Sequence, residues 1–124
     1  MIVLKIGGSS VDSAAAVGRV VELVRGFRER RPVVVVSAMA KTTNRLLESG
    51  AAAAAGDLTR AEAIRGELLA FHLREGGLAV PKTERGPLSD AIQGFFDELE
   101  RRLSTIGADA ALGKPGKSGR KPWS

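Results

Sequence analysis

Two short β-branched runs, Ile2–Ile6 and Val33–Val36, bracket a helical stretch, and that spacing constrains the fold more than any other feature. The first run, Ile-Val-Leu-Lys-Ile, ends in Gly7-Gly8, the pattern of a buried strand entering a turn. Ser9, Ser10 and Asp12 offer N-cap side chains. Val17, Val20, Val21, Val24 and Phe27 recur at the spacing of one helical face, which predicts a helix to about Arg30. Pro32 stops it. The second run is fully apolar and leads into Ser37-Ala38-Met39. Strand, helix and strand in so short a space predict a parallel pair joined by a right-handed crossover.

The remainder reads as helix. A helix is expected from Thr43 to Ala55, where the alanine run signals helix propensity. Gly56-Asp57 opens another, reaching about Arg74 and ended by Gly76-Gly77. Residues 78–87, with two prolines, read as a loop. Ser89 or Asp90 caps a last helix through Leu103, with Ile92, Phe95, Phe96, Leu99 and Leu103 on one face. From Gly107 the apolar periodicity stops, so 107–124 reads as a basic, disordered tail. The fold class is therefore α/β, with two parallel strands and about four helices. A parallel sheet normally has more strands and covers both faces, so the chain reads as part of a larger α/β domain.

Charge follows the same division. Residues 1–109 hold 15 of the 19 Lys and Arg and all 14 acids, a balance of +1. Lys114, Lys117, Arg120 and Lys121 supply the other +4, so the basic character belongs to the tail and implies no specific nucleic-acid partner. There is no cysteine, and His72 is the one histidine, which excludes thiolate and His-cluster metal sites. The apolar start is too short for a signal core and no run approaches a membrane span. A cytoplasmic location with no membrane partner is the expectation.

Two constellations carry chemistry. In Lys5-Ile6-Gly7-Gly8-Ser9-Ser10, paired glycines after a strand let backbone approach a ligand, and the helix N-terminus that follows favours a phosphate. Lys5 lies near the carboxyl end of its strand, where ligands collect in open α/β sheets. An ordinary turn beside a surface lysine would look the same. In the second, Val33–Val36 runs into Ser37-Ala38-Met39-Ala40-Lys41-Thr42-Thr43-Asn44, whose hydroxyls suit either a ligand or a helix cap. Ala111–Ser118 loosely approximates a P-loop, but lacks the preceding strand and following helix that such a loop needs.

Taken together, Lys-x-Gly-Gly-Ser-Ser-Val and the later apolar strand ending in Ser-Ala-Met-x-Lys-Thr-Thr-Asn resemble the aspartate kinases of the amino acid kinase superfamily. The resemblance spans residues 1–106, including the helical stretch with His72. It implies the N-terminal part of a three-layer αβα catalytic domain. It also implies transfer of the ATP γ-phosphoryl group to the side-chain carboxylate of L-aspartate, with Mg²⁺ bound through ATP. Lys5 corresponds to the family lysine that contacts the ATP phosphates and offsets charge during transfer. Gly7, Gly8 and Ser9 match the phosphate-side turn, Thr43 a hydroxyl that binds aspartate, and Ser37 the neighbouring position. Ile6 stands where Phe is usual and Ser9 where Thr is common; neither removes a functional group.

The resemblance also implies later segments, among them a Gly-Glu motif for aspartate, a base pocket and regulatory domains. Ala108–Ser118 stands where the first should approach, the kind of junction that a frameshift or early stop produces. The 124 residues alone are then expected to be inactive, with unpaired strand edges that favour homo-oligomers. Two other readings stay open from the residues: an amino acid kinase with a different acceptor, and a non-catalytic basic protein whose tail binds nucleic acid.

Overall fold

Strands β1 (Ile2–Ile6) and β2 (Pro32–Val36) lie side by side and parallel, in a register that sets Ile2 opposite Pro32, Lys5 opposite Val35 and Ile6 opposite Val36. They belong to a computed structural model that describes residues 1–113. Between them runs helix α1 (Ala14–Gly26), preceded by a 3₁₀ turn over Gly8–Val11 and followed by another over Arg28–Arg30. Helices α2 (Thr42–Ala54), α3 (Leu58–Ala79) and α4 (Arg85–Ala111) complete the chain, with a third 3₁₀ turn at Lys82–Glu84. The expected α/β class, parallel pair and four helices are all present.

The chain does not enter α1 directly from Gly7-Gly8. Ser13, not Ser9, Ser10 or Asp12, caps α1: its Oγ accepts the Ala16 amide at 3.1 Å. The Ala14 amide donates to Glu75 Oε1 of α3 at 3.4 Å, which sets a carboxylate at the positive end of α1. Arg31 ends the second 3₁₀ turn in the left-handed region, at φ 51°, and so turns the chain into β2.

The core is helical. Ala52, Ala53, Ala61 and Leu103 form one buried cluster, and Ile64, Leu68 and Phe96 another, with Leu99 packed against both. The alanine run of α2 thus has a packing role beyond helix propensity. Ser49 and Gly50 are buried beside it, and small side chains let α2 lie close to α3 and α4. Ser49 stays satisfied by donating to the Leu46 carbonyl at 2.8 Å.

Three boundaries differ from expectation, each for a packing reason. Gly76-Gly77 lies inside α3, and Gly76 faces side chains of α4. A Cβ there would sit 3.2 Å from Ile92 Cδ1 and 3.3 Å from Leu88 Cδ2. Most of 78–87 is helical or 3₁₀; only Val80 and Pro81, both extended, break it, and Pro87 falls in the first turn of α4, where its missing N–H costs nothing. Finally, α4 continues through Gly107 to Ala111, so the start of the expected disordered tail is helix. Gly107 is buried, with Leu58 lying over it. The basic residues Lys114–Lys121 and most of the P-loop-like stretch lie outside the described residues.

The sheet departs most from expectation. Val33–Val36 reads as a buried strand, yet these four side chains are 37–59% exposed. β2 is hydrogen-bonded only to β1, and among the described residues no element covers it. On β1, Ile6 is buried while Val3 and Lys5 alternate onto the exposed face. Phe95 is likewise 77% exposed, because the seam of α4 that meets Ile64 and Leu68 runs through Phe96 instead.

Candidate functional site

Parallel pairing brings both strand ends to the same edge, so the loops that follow β1 and β2 meet. The Ser37 amide donates to the Ile6 carbonyl at 3.0 Å, carrying the ladder one residue past β2. The Ala40 amide then donates to the Gly8 carbonyl at 3.3 Å. A Cβ on Gly8 would lie 3.1 Å from the carbonyl oxygens of both Ala38 and Ala40 and 3.4 Å from Ser37 Oγ. Gly8 is therefore a point of close backbone approach. Gly7 has open space where its Cβ would be and an extended backbone.

These contacts set the turn after β1 directly against the loop after β2. Lys5 is exposed near the end of β1, and Gly7 and Ser9 are exposed in the turn beyond it. The first bond of the 3₁₀ turn runs from the Ser10 amide to the Gly7 carbonyl at 3.1 Å, so the amides of Gly8 and Ser9 precede it. Across the contact, Ser37 is exposed just after β2, and Thr43 is exposed in the first turn of α2. Thr42 is buried, its amide bonded to the Met39 carbonyl at 3.0 Å. Lys41, not a threonine hydroxyl, holds the N-cap position of α2 and makes no side-chain cap bond, which leaves the Thr43 hydroxyl uncommitted as a cap.

The start of α2 is braced from α3. Arg45, two residues past Thr43, pairs with Glu48 at 2.8 Å and reaches Glu67 of α3. Glu48 also receives Arg60 of α3 at 2.6 Å. Hydrogen bonds from Arg45 and then Arg60 hold the Glu48 carboxyl below its ordinary range, and the Glu48 carboxylate raises Arg45 in return.

The result is an open ledge rather than a cavity. One apolar groove of about 310 Å³, lined by Val20, Val21, Val24 and Pro32, and a polar hollow along Asp97–Thr105 both lie elsewhere. Among the described residues no group of three or more His, Asp or Glu side chains stands together to hold a metal. His72 lies apart, its Nδ1–H donating to the Leu68 carbonyl at 2.7 Å and its ring between Phe71 and Phe96. No described helix is long and apolar enough to cross a membrane. Sequence reasoning missed the backbone of Ala38 and Ala40 as partners of Gly8; the small side chains of Ser37-Ala38 and Ala40 were the available signal.

Aspartokinase 1, chloroplastic, of Arabidopsis thaliana is 47% identical over 106 residues, which is 84% of this chain and 18% of that protein. Aspartokinase 2, chloroplastic, from the same plant is 47% identical over 76 residues, covering 58% of this chain and 14% of the relative. Aspartokinase 3, chloroplastic, is 48% identical over 62 residues, half of this chain and 11% of the relative. The chain thus spans less than a fifth of the length of these curated relatives. A family model described as the amino acid kinase family matches residues 1–112, nearly the whole chain and all four helices. The chain belongs to the amino acid kinase family.

Proposed function

We propose that this chain supplies the first part of an aspartate kinase site, with ATP on the glycine-turn side and L-aspartate on the α2 side. The observation that carries the reading is the Gly8 contact, which joins the turn after β1 to the loop after β2 along one strand edge. The aspartokinase relatives supply the acceptor.

In this reading the amides at Gly8 and Ser9 face the ATP phosphates, and open space at Gly7 lets them approach. Lys5 offsets charge on the phosphoryl group as it moves. Thr43 and Ser37 bind aspartate, and the N-terminal end of α2 favours its negative charge. A side-chain carboxylate oxygen of aspartate attacks the γ-phosphorus, and the bond to the β,γ-bridging oxygen breaks to release ADP. The carboxylate is already ionised near neutral pH, so no general base is needed. Rate then comes from alignment and from cationic stabilisation. Mg²⁺ would arrive on the ATP phosphates and neutralise part of their charge. A cytoplasmic location belongs to the same proposal.

The test is a fusion of residues 1–112 to the remaining length of Arabidopsis aspartokinase 1, assayed for ADP release with a panel of carboxylate and carbamate acceptors. L-aspartate should be preferred, and hydroxylamine should trap an acyl phosphate. Turnover with another acceptor and none with aspartate would reject the assignment.

A further inference from the structure

We propose that Gly8 is a positioning residue for the loop after β2, and that the absence of a side chain there serves the acceptor half of the site rather than the phosphates. The two glycines of the turn are not equivalent. A Cβ on Gly7 meets nothing within 4 Å, whereas one on Gly8 would press on the Ala38 and Ala40 carbonyls at 3.1 Å. Both close neighbours are backbone, which cannot rotate away as a side chain would. Position 8 is thus specified by the second loop.

The contact holds from both sides. Gly8 offers its carbonyl to the Ala40 amide, and Ala40 reaches it with φ 49°, in the left-handed region that L-residues seldom adopt. Two residues later Thr42 is buried and α2 begins. Displacing Ala40 from Gly8 therefore moves Ser37 on one side and the first turn of α2, with Thr43, on the other. The functional consequence rests on the reading proposed above; the contact itself does not.

The test uses the 124-residue chain without ligand, so that its outcome is independent of which substrates bind. In ¹⁵N-resolved amide spectra, Gly8→Ala should shift Ser37–Thr43 and speed Ala40 amide exchange by at least about tenfold, as expected when one hydrogen bond is lost. Gly7→Ala should shift only its immediate neighbours. Amides of Ala53 and Leu103, in the helical core, should stay protected in both. Ala40→Pro keeps Gly8 but removes the donor and cannot take a positive φ, so it should shift Gly7–Ser10 in return. It decides the matter if Gly8→Ala fails to fold. The proposal is overturned if Gly7→Ala and Gly8→Ala disturb residues 37–43 equally, or if Ala40→Pro leaves Gly7–Ser10 unmoved. A second arm measures L-aspartate binding to the fusion protein. Gly8→Ala should weaken it by about tenfold or more, a hydrogen-bond-sized effect, with ATP binding less affected. Intact coupling of the loops in the first arm, with no aspartate binding by the unsubstituted fusion, would reject the acceptor and leave the positioning role standing.

Discussion

Leu58, the first residue of α3, lies over Gly107 near the end of α4, and a Cβ on Gly107 would fall 2.7 Å from Leu58 Cγ. This contact closes the helical unit where the sequence pattern reads as running out. Two effects of Gly107→Ala oppose each other. Alanine favours the helix by about 1 kcal/mol, while crowding a packed contact costs about 1–3 kcal/mol. Crowding should win, lowering stability by about 1 kcal/mol. In a Leu58→Ala background the same change should instead stabilise by about 1 kcal/mol. Urea unfolding of the four variants measures the sign, and a loss in both backgrounds would show that Leu58 is not the obstacle.

Ala40→Gly should stabilise the chain. A left-handed L-residue costs about 1–2 kcal/mol, and glycine returns about 0.5–1 kcal/mol of that through a more flexible unfolded chain. A net gain of about 0.5–1 kcal/mol is expected, with the Gly8 contact intact. Unchanged or reduced stability would mean the conformation at residue 40 carries no strain.

In the fusion protein, Lys5→Ala should lower turnover by at least about a hundredfold, as for loss of a partner to transition-state charge. Thr43→Val keeps the shape and removes the hydroxyl; the KM for aspartate should rise while that for ATP changes little. Steady-state kinetics with each substrate varied separates the two, and the opposite pattern would exchange the two halves of the site. The 124-residue chain alone should release no ADP in response to aspartate, since among the described residues β2 has β1 as its one partner and nothing over its face.

Glu48 should make stability sensitive to acid. Its folded carboxyl titrates below the ordinary value of 4.5, so the contribution is fully present above that value and is lost as pH falls through the folded value. The unfolding midpoint should therefore drop as pH falls below 4.5, and Glu48→Gln should flatten that drop. Parallel profiles for the two proteins would mean that Arg45 and Arg60 hold Glu48 no better than water does.

The bare strand should pair with its own kind. Val33–Val36 is uncharged, β-branched and exposed, which is the composition of a sticky edge. Sedimentation should show concentration-dependent association that Val33→Lys suppresses. A monomer at all concentrations would contradict this.

How far the fold could be read from sequence depended on which contacts were local. The strands, the crossover and the Asp57 cap of α3 follow from periodicity and nearby residues, and all are present. Gly76 and Gly107 resemble stops in sequence because a glycine at a helix end and a glycine under a neighbouring helix look alike in one dimension. Only the packing of Ile92 and Leu58 separates them. Val33–Val36 is exposed despite its apolar run for a related reason, since apolar composition states what a strand would tolerate, not what lies over it. At the site, the candidate residues were nameable from two motifs, but the role of Ala40 depends on one dihedral angle that no motif carries.

The buried apolar clusters lie within α2, α3 and α4, while the proposed ligand ledge sits on the strand ends and only the first turn of α2. Melting followed by helical circular dichroism will therefore report on a part of the molecule that the ligands need not touch. A substitution that reshapes the ledge can change the helical signal little even where it shifts the midpoint, and a ligand's stabilisation appears in the midpoint without saying which residues it ordered. For this chain, an unaltered melt is no certificate that a site variant kept its shape; that has to be read locally, at Gly8 and Ala40.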